Sequence, residues 1–248
     1  PEIDGLRAIA ILSVIIYHAK ISLNNQLIFT GGYLGVDIFF VISGFLITSI
    51  LLKELKNNNT ISLSYFYERR ARRILPALFF VIIISYPFTL ITLLPIEILD
   101  YSKSILSALG FGSNFYFHYT GIEYGGSPSL LKPFLHTWSL GVEEQYYLIF
   151  PIFIILIFKY LKKRLFFILT ILGIASLILA QWASQYHSSI NFYILPTRVW
   201  ELLIGSLLAF VSIQKVDFFY KINNFSKEII LLIGFLLIFF SFHYFDSN

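Results

Sequence analysis

Cysteine is absent from the 248-residue sequence. Disulfide bonds, thiolate metal sites and cysteine nucleophiles are therefore excluded, and we predict no metal site. Charged residues are also scarce, at 13% of the chain, whereas an average soluble domain has roughly 25%. Hydrophobic residues make up 57% of the sequence. This composition argues against a water-soluble domain.

Several catalytic sequence motifs are missing as well. The chain has no Gly-x-Ser-x-Gly nucleophile elbow, no Walker phosphate loop, no His-Glu-x-x-His and no Gly-x-Gly-x-x-Gly that opens a helix after a strand. These absences argue against a serine hydrolase, a nucleoside triphosphatase, a zinc protease and a dinucleotide-binding enzyme. We therefore expect no bound cofactor.

The hydrophobic residues are concentrated in runs that are long enough to cross a bilayer as helices. The sequence predicts an all-α fold, a polytopic transmembrane helical bundle of about seven to eight membrane segments, as a single domain over residues 1–248. The first run lacks a small-residue cleavage site, so we interpret it as a transmembrane helix and not as a signal peptide. The predicted spans are Ala8–Leu23, Leu34–Leu52, Ile74–Leu94, Leu140–Phe158, Leu165–Trp182, Tyr193–Val211 and Glu228–Phe245.

One further apolar stretch, Ile105–Tyr119, is interrupted by Ser, Gly and Asn. Basic residues cluster in three connecting loops, and such loops usually stay in the cytoplasm. An even number of crossings must then separate the first two basic loops, so Ile105–Tyr119 is predicted to be re-entrant or interfacial. The clusters are Lys53, Lys56, Arg69, Arg70, Arg72 and Arg73; Lys159, Lys162, Lys163 and Arg164; and Lys215, Lys221 and Lys227.

The same distribution of basic residues predicts the orientation of the chain in the membrane. With the N-terminus in the cytoplasm, the outer loops contain only Lys20, Lys103 and Lys132 among the basic residues. The formal net charge of +4 comes from short loops and not from one basic face, so membrane orientation explains it better than nucleic-acid binding. We predict a multi-pass protein of the cell (inner) membrane that contacts membrane lipids and no nucleic acid.

Arg7 and His18 are the first candidate catalytic residues. Ionisable groups in spans cost about 2.5 to 3.5 kcal/mol on insertion scales, so each is a functional candidate. The separation of Arg7 and His18 corresponds to about 1100° of helical rotation and about 16 Å of rise, which places both residues on one helix face. We expect this face to lead from the cytoplasmic surface to the middle of the membrane. A neutral imidazole can accept a proton from a hydroxyl. The alternative is a packing histidine bonded to neighbouring backbone.

Two adjacent carboxylates, Glu143 and Glu144, form the second candidate group, close to Ser139 and His136. At least one carboxylate must turn away from lipid and find a hydrogen-bond donor, so helix packing explains the pair poorly. We predict catalytic roles for Glu143 and Glu144. Ser139 is assigned to the structure or the substrate path.

Four arginines precede the third predicted span. Guanidinium groups bind phosphate oxygens through paired hydrogen bonds, so this cluster could hold the phosphates of a nucleotide-bearing donor. Basic residues also flank many membrane helices and bind anionic lipid headgroups, and both interpretations stay open. The arginine cluster consists of Arg69, Arg70, Arg72 and Arg73.

Asp37 lies near the outer end of the second predicted span, within a glycine-rich block. We expect Gly32, Gly35 and Gly44 to let another helix approach closely. Asp37 is expected to pair with a cation from another helix, in either a structural or a substrate-path role.

Arg198 and Glu201 are three residues apart in the sixth predicted span, where they can neutralise each other. They are assigned to the structure or the substrate path. The other histidines, His118, His187 and His243, are predicted to be interfacial residues of outer loops or span ends.

Four sequence blocks together resemble the acyltransferase-3 family in order and spacing, over nearly the whole chain. The resemblance implies that Arg7 and His18 form the motif most closely tied to activity. It also implies a candidate phosphate site at the arginine cluster. The blocks are Asp4-Gly5-Leu6-Arg7 with His18; Gly35-Val36-Asp37-Ile38-Phe39-Phe40-Val41-Ile42-Ser43-Gly44-Phe45; the arginine cluster before Ile74-Leu75-Pro76; and Trp138-Ser139-Leu140-Gly141-Val142-Glu143-Glu144-Gln145-Tyr146-Tyr147.

The resemblance further implies an acyl-coenzyme A donor and a carbohydrate acceptor, so that an acyl group, expected to be acetyl, moves to a hydroxyl of a surface or exported glycan. The chain has fewer spans than is usual in the family, and we expect a shortened member or a fragment. Two other functions remain open: a transporter or flippase for a glycan or lipid-linked substrate, and an inactive membrane scaffold.

Overall fold

The computed structural model describes residues 2–23, 26–122, 132–161, 164–214 and 223–245. The predicted all-α fold is confirmed, because helices account for nearly all of these residues apart from a two-residue antiparallel ladder of β1 (Ser22–Leu23) and β2 (Gln26–Leu27). The helices are α1 Glu2–His18, a 3-10 helix Gly32–Leu34, α2 Gly35–Asn58, α3 Leu63–Thr92, α4 Pro95–Leu109, α5 Ser113–Ile122, α6 Thr137–Leu161, α7 Leu165–Tyr186, α8 Ser188–Tyr193, α9 Leu195–Gln214 and α10 Asn224–Tyr244.

Within the described residues, six helical segments are long and apolar enough to cross a membrane. They contain α2, α3, α6, α7, α8 with α9, and α10. The chain is therefore a membrane protein, and the sequence-based count of seven to eight segments is too high by this measure. Lys162, Lys163, Lys215 and Lys221 of the predicted basic loops lie outside the described residues.

The first predicted span accounts for part of the difference. It extends to Leu23 in the sequence-based prediction, but α1 ends at His18 after 17 residues. Lys20 adopts a φ of 48°, in the left-handed region that terminates many helices, and β1 follows directly.

The segment Ile105–Tyr119 divides into the end of α4 and most of α5. Between these helices Phe111 has a φ of 53°, which continuous helix does not allow. With 15 and 10 residues, α4 and α5 are each shorter than the roughly 20 residues that a transmembrane helix needs. This agrees with the prediction that the segment does not cross the membrane as one helix.

The chain divides into two compact units, which are considered separately. Unit 1 consists of the described parts of residues 1–52 and 201–248, and unit 2 of those of residues 53–200. Helices α2 and α9 each contribute residues to both units.

In unit 1, α2 and α9 cross with their backbones in contact. A Cβ built on Gly44 would overlap the Leu202 carbonyl oxygen, and one built on Gly205 would overlap the Val41 carbonyl oxygen. The Thr48 hydroxyl donates a hydrogen bond of 2.8 Å to Ser206 Oγ at the same crossing. Small residues allow this approach, as they do at many membrane helix interfaces.

Helix α1 approaches the start of α2 in a similar way. Side chains at Gly32 and Gly35 would overlap the carbonyl oxygens of Ser13 and Ala10, respectively. The Ser13 hydroxyl donates to the Gly32 carbonyl at 3.3 Å. The prediction that Gly32, Gly35 and Gly44 permit close helix approach is therefore confirmed.

Helix α10 joins unit 1 through its last turn. The Gly31 amide donates to the Phe242 carbonyl at 3.0 Å, and the Thr30 hydroxyl donates to the Phe245 carbonyl at 2.8 Å. Most other side chains of α10 are exposed in the chain, as expected for a helix that faces lipid.

In unit 2, α6 forms the centre of the packing. Val142, Tyr146, Phe150 and Ile154 follow a helical spacing of four residues and are buried together along one face. Helices α4, α5, α7 and α8 all contact α6. This arrangement gives the polar residues near the start of α6 neighbours on several helices.

Candidate functional site

The predicted relation between Arg7 and His18 holds, because both belong to the continuous helix α1 of unit 1. The Arg7 side chain is 19% exposed, and its Nη1 lies 3.6 Å from Asp4 Oδ1. Its Nε is buried and makes no hydrogen bond within the described residues. Within the described residues this donor of the guanidinium is therefore unsatisfied.

His18 is the last residue of α1, whereas the predicted span continues to Leu23. Its Nδ1 lies 2.8 Å from the Val14 carbonyl oxygen. A carbonyl can only accept, so Nδ1 carries the hydrogen and Nε2 holds the lone pair of the neutral ring. The backbone bond therefore fixes the tautomer that a general base requires.

Asp37 lies in the first turn of α2 and is partly buried. The positive end of the helix dipole stabilises a carboxylate at this position. Its assignment to the structure or the substrate path stays a prediction.

In unit 2, one face of α3 packs against α6. Phe66 is buried, and the Tyr67 hydroxyl donates to the Leu148 carbonyl at 2.9 Å. Arg70 lies on the same face, since positions 66, 67 and 70 fall within about 100° of one another around the helix axis. Its guanidinium carbon is 4.9 Å from the centre of the Tyr147 ring.

The two predicted carboxylates lie next to this contact. The Tyr147 hydroxyl donates to Glu143 Oε2 at 3.4 Å. Glu144 is only 6% exposed, and its Oε1 has no hydrogen-bond partner within the described residues. Tyr147 therefore contacts both Arg70 and Glu143. The structure thus brings Glu143, Glu144 and one arginine of the cluster together.

The other three arginines have different surroundings, and all are exposed. Arg69 lies over the Tyr65 ring at 4.1 Å, and Arg72 pairs with Glu68 at 2.6 Å. Arg69 and Arg73 are four residues apart, so they are neighbours on α3. All four arginines lie inside α3, because the helix starts at Leu63 and not near Ile74.

Ser139 lies in the first turn of α6, and Arg198 of α9 lies close to this turn in unit 2. The Ser139 hydroxyl donates to the main-chain carbonyl of His136 at 3.3 Å. The Arg198 guanidinium lies 5.8 Å from the Trp138 ring, which suits a cation–π contact. Glu201 is buried within unit 1. Mutual neutralisation of Arg198 and Glu201 stays a prediction.

His118 is not an interfacial loop residue. It lies within α5, is buried, and its Nδ1 is 2.9 Å from the Ser189 hydroxyl. The sequence-based assignment of His118 is therefore wrong, because its ring is buried in unit 2 against Ser189 of α8. His187 and His243 are exposed at helix ends, in agreement with their assignment to span ends.

An amide pair that sequence reasoning missed fixes the start of α5 on α6. Gln145 Nε2 donates to Asn114 Oδ1 at 2.7 Å and to the Phe111 carbonyl at 2.9 Å. Asn114 Nδ2 donates to the Tyr193 carbonyl at 3.0 Å. The only sequence signal was a polar residue in each of two apolar segments.

Replacing Asn114 by alanine should destabilise the protein by about 1–3 kcal/mol, because Gln145 and the Tyr193 carbonyl would lose buried partners. We expect the thermal unfolding midpoint in detergent to fall by about 2–4 °C per kcal/mol. Gln181→Ala, at an exposed position of α7, is the matched control and should leave the midpoint unchanged. Equal midpoints for the two variants would contradict a structural role for the amide pair.

The sequence of the chain is similar to those of several known proteins. The chain is 37% identical over 215 residues to the O-acetyltransferase OatA of Staphylococcus aureus strain NCTC 8325 / PS 47, and the same values apply to OatA of strains MRSA252 and N315. The aligned region covers 85% of this chain but 34% of each relative. The chain therefore spans about a third of the length of the curated relatives it matches. No solved structure matches the chain.

A family model described as an acyltransferase domain matches residues 1–248. The match includes α1 with Arg7 and His18, the glycine-rich start of α2, the arginines of α3 and the start of α6. These are the four blocks on which the sequence resemblance rests. The chain belongs to the acyltransferase domain family, acyltransferase-3.

Proposed function

We propose that the protein is a membrane-bound O-acyltransferase that moves an acyl group from acyl-coenzyme A to a hydroxyl of a surface or exported glycan. Family membership and relatives named O-acetyltransferase support the reaction class and favour acetyl as the group. At the level of residues, the proposal depends on the hydrogen bond from His18 Nδ1 to the Val14 carbonyl. That bond leaves Nε2 as the basic nitrogen.

In the proposed reaction, His18 Nε2 takes the proton of the acceptor hydroxyl as its oxygen attacks the thioester carbonyl carbon. The new C–O bond forms, the C–S bond breaks, and the coenzyme thiolate leaves and takes up a proton. The Arg7 guanidinium supplies positive charge on the same helix face as His18. Glu143 and Glu144 are the proposed catalytic residues of unit 2.

The arginine cluster of α3 is the proposed site for the coenzyme phosphates. Exposed guanidinium groups that neighbour each other on a helix suit phosphate oxygens, which they bind with charge-assisted hydrogen bonds. In this proposal the protein lies in the cell (inner) membrane with a cytoplasmic N-terminus, so the cluster meets a cytoplasmic donor. The partners are then acyl-coenzyme A, a carbohydrate acceptor and membrane lipids.

Incubating the purified protein with acetyl-coenzyme A labelled in the acetyl group and a panel of glycans tests the proposal. We expect label in a glycan together with an equal amount of free coenzyme A. The full-length OatA relative is the positive control for the assay. Glycan movement across vesicles without loss of acetyl-coenzyme A would identify a transporter. Neither transfer nor movement would favour the scaffold.

A further inference from the structure

Arg70 differs from the three other arginines of the cluster in what surrounds it. Its side chain is partly buried, and it lies near the rings of both Phe66 and Tyr147, at 5.9 Å and 4.9 Å from the ring centres. Arg72 lies about 160° from Arg70 around α3, where Glu68 already neutralises it. Arg70 is therefore the member of the cluster that turns towards α6.

Tyr147 connects Arg70 to the carboxylates. Its ring lies against the guanidinium, and its hydroxyl donates to Glu143 Oε2 at 3.4 Å. Tyr147 is itself buried, so the ring has little freedom to move away. An arginine that stacks on an aromatic ring is preorganised, and lysine does not reproduce this geometry.

A nearby positive charge would stabilise the ionised form of the buried Glu144 carboxyl group. A buried carboxylate that lacks a compensating charge or donor is costly, and Glu144 Oε1 has no hydrogen-bond partner within the described residues. Glu143 is adjacent and carries the same sign. Arg70 is the arginine of the cluster that contacts Tyr147, whose hydroxyl donates to Glu143, whereas Arg69 and Arg73 are exposed.

We propose that Arg70 is the counter-ion that positions the Glu143 and Glu144 carboxylates, and that Arg69 and Arg73 bind the donor phosphates without it. This inference rests on the proposed acyl transfer and divides the arginine cluster into two functions. Arg70 acts through the glutamates and is a positioning residue. Arg69 and Arg73 are neighbours on the exposed side of α3, where one phosphate group can reach both.

Steady-state kinetics separates the two functions. Arg70→Gln should lower kcat by about 100-fold, with the KM for acetyl-coenzyme A unchanged, because misplaced catalytic groups slow the chemical step. Arg73→Gln should raise that KM by about tenfold with kcat unchanged, because it removes a charge-assisted bond to the donor. Arg70→Lys keeps the charge and should recover part of kcat. Arg164→Gln, in another basic loop, is the control for loss of one charge.

A second measurement does not depend on activity. Thermal unfolding midpoints in detergent are compared for Arg70→Gln, Glu144→Gln and the double variant. Removing the cation that faces a buried carboxylate is costly, whereas removing both groups together is nearly neutral. Arg70→Gln should lower the midpoint by about 4 °C or more, and the double variant should recover most of this loss.

The outcomes are distinct. A raised KM and an unchanged kcat for Arg70→Gln would place Arg70 with the phosphate ligands and overturn the inference. Additive midpoint changes would also overturn it. If the wild-type protein transfers no acetyl group, the proposed function fails, and the midpoints alone decide whether Arg70 balances the carboxylates.

Discussion

Replacing His18 by asparagine is expected to slow acyl transfer by a large factor while the protein remains folded at its normal level. Asparagine keeps an N–H that can donate to the Val14 carbonyl, as His18 Nδ1 does at 2.8 Å. It has no basic nitrogen in place of Nε2. General base catalysis contributes about 10²- to 10⁴-fold, so the rate should fall by that factor. Transfer of labelled acetyl groups in purified membranes measures the loss.

The control for this variant is His187→Asn. His187 is also exposed and follows the last residue of a membrane helix, but it belongs to none of the four sequence blocks. It should retain wild-type transfer. Transfer by His18→Asn at the rate of the control would remove His18 from the mechanism, whatever the unfolding midpoints show.

Replacing Gly44 by alanine is expected to cause the largest loss of stability. The new Cβ would overlap the Leu202 carbonyl oxygen, which belongs to backbone and cannot rotate away. Helices α2 and α9 must then separate, and the bond from Thr48 to Ser206 weakens with them. We expect a loss of about 3 kcal/mol or more, at the upper end of the range for overpacked cores.

Gly234→Ala provides a matched comparison within another membrane helix. A Cβ at Gly234 of α10 meets no atom within 4 Å. Alanine should raise stability there by up to about 1 kcal/mol, because it favours helix over the unfolded chain. Thermal unfolding in detergent compares the two variants. Similar midpoints for both would show that the crossing of α2 and α9 is not tightly packed.

The sequence predicted the membrane helices well where apolar runs end at charged or polar residues. Helix α7 begins at Leu165, as predicted, because Arg164 directly precedes the apolar run. The predicted span Leu140–Phe158 lies inside α6, which extends three residues further at each end. Hydropathy identifies the part of a helix that suits lipid, and the polar turns beyond it escape detection.

The same reason explains the larger error at α3. The segment before Ile74 contains Glu and four Arg residues, which are good helix formers but are not apolar. The helix therefore begins at Leu63 while the apolar run begins eleven residues later. Helix propensity would have shown this where hydropathy could not.

The placement of Arg7 and His18 on one helix face could also be predicted, since it depends only on local helix geometry. The sequence did not show that Arg70 alone among the four arginines turns towards α6. That distinction depends on which side of α3 the later helix packs against. The contact of Asn114 with Gln145 joins residues 31 positions apart, and no local pattern reports such a distance.

Hydrogen bonds to main-chain carbonyl oxygens help to attach α10. The Gly31 amide and the Thr30 hydroxyl both bond to carbonyl oxygens of its last turn, and a side chain at Gly31 would overlap the Ser241 carbonyl. Every residue type supplies a main-chain carbonyl, so these hydrogen bonds do not depend on the side chains of α10, whereas the contacts of the Phe239 and Phe242 rings with Phe29 do. The other exposed side chains of α10 can therefore vary without loss of this attachment, whereas a side chain at Gly31 would overlap the main chain.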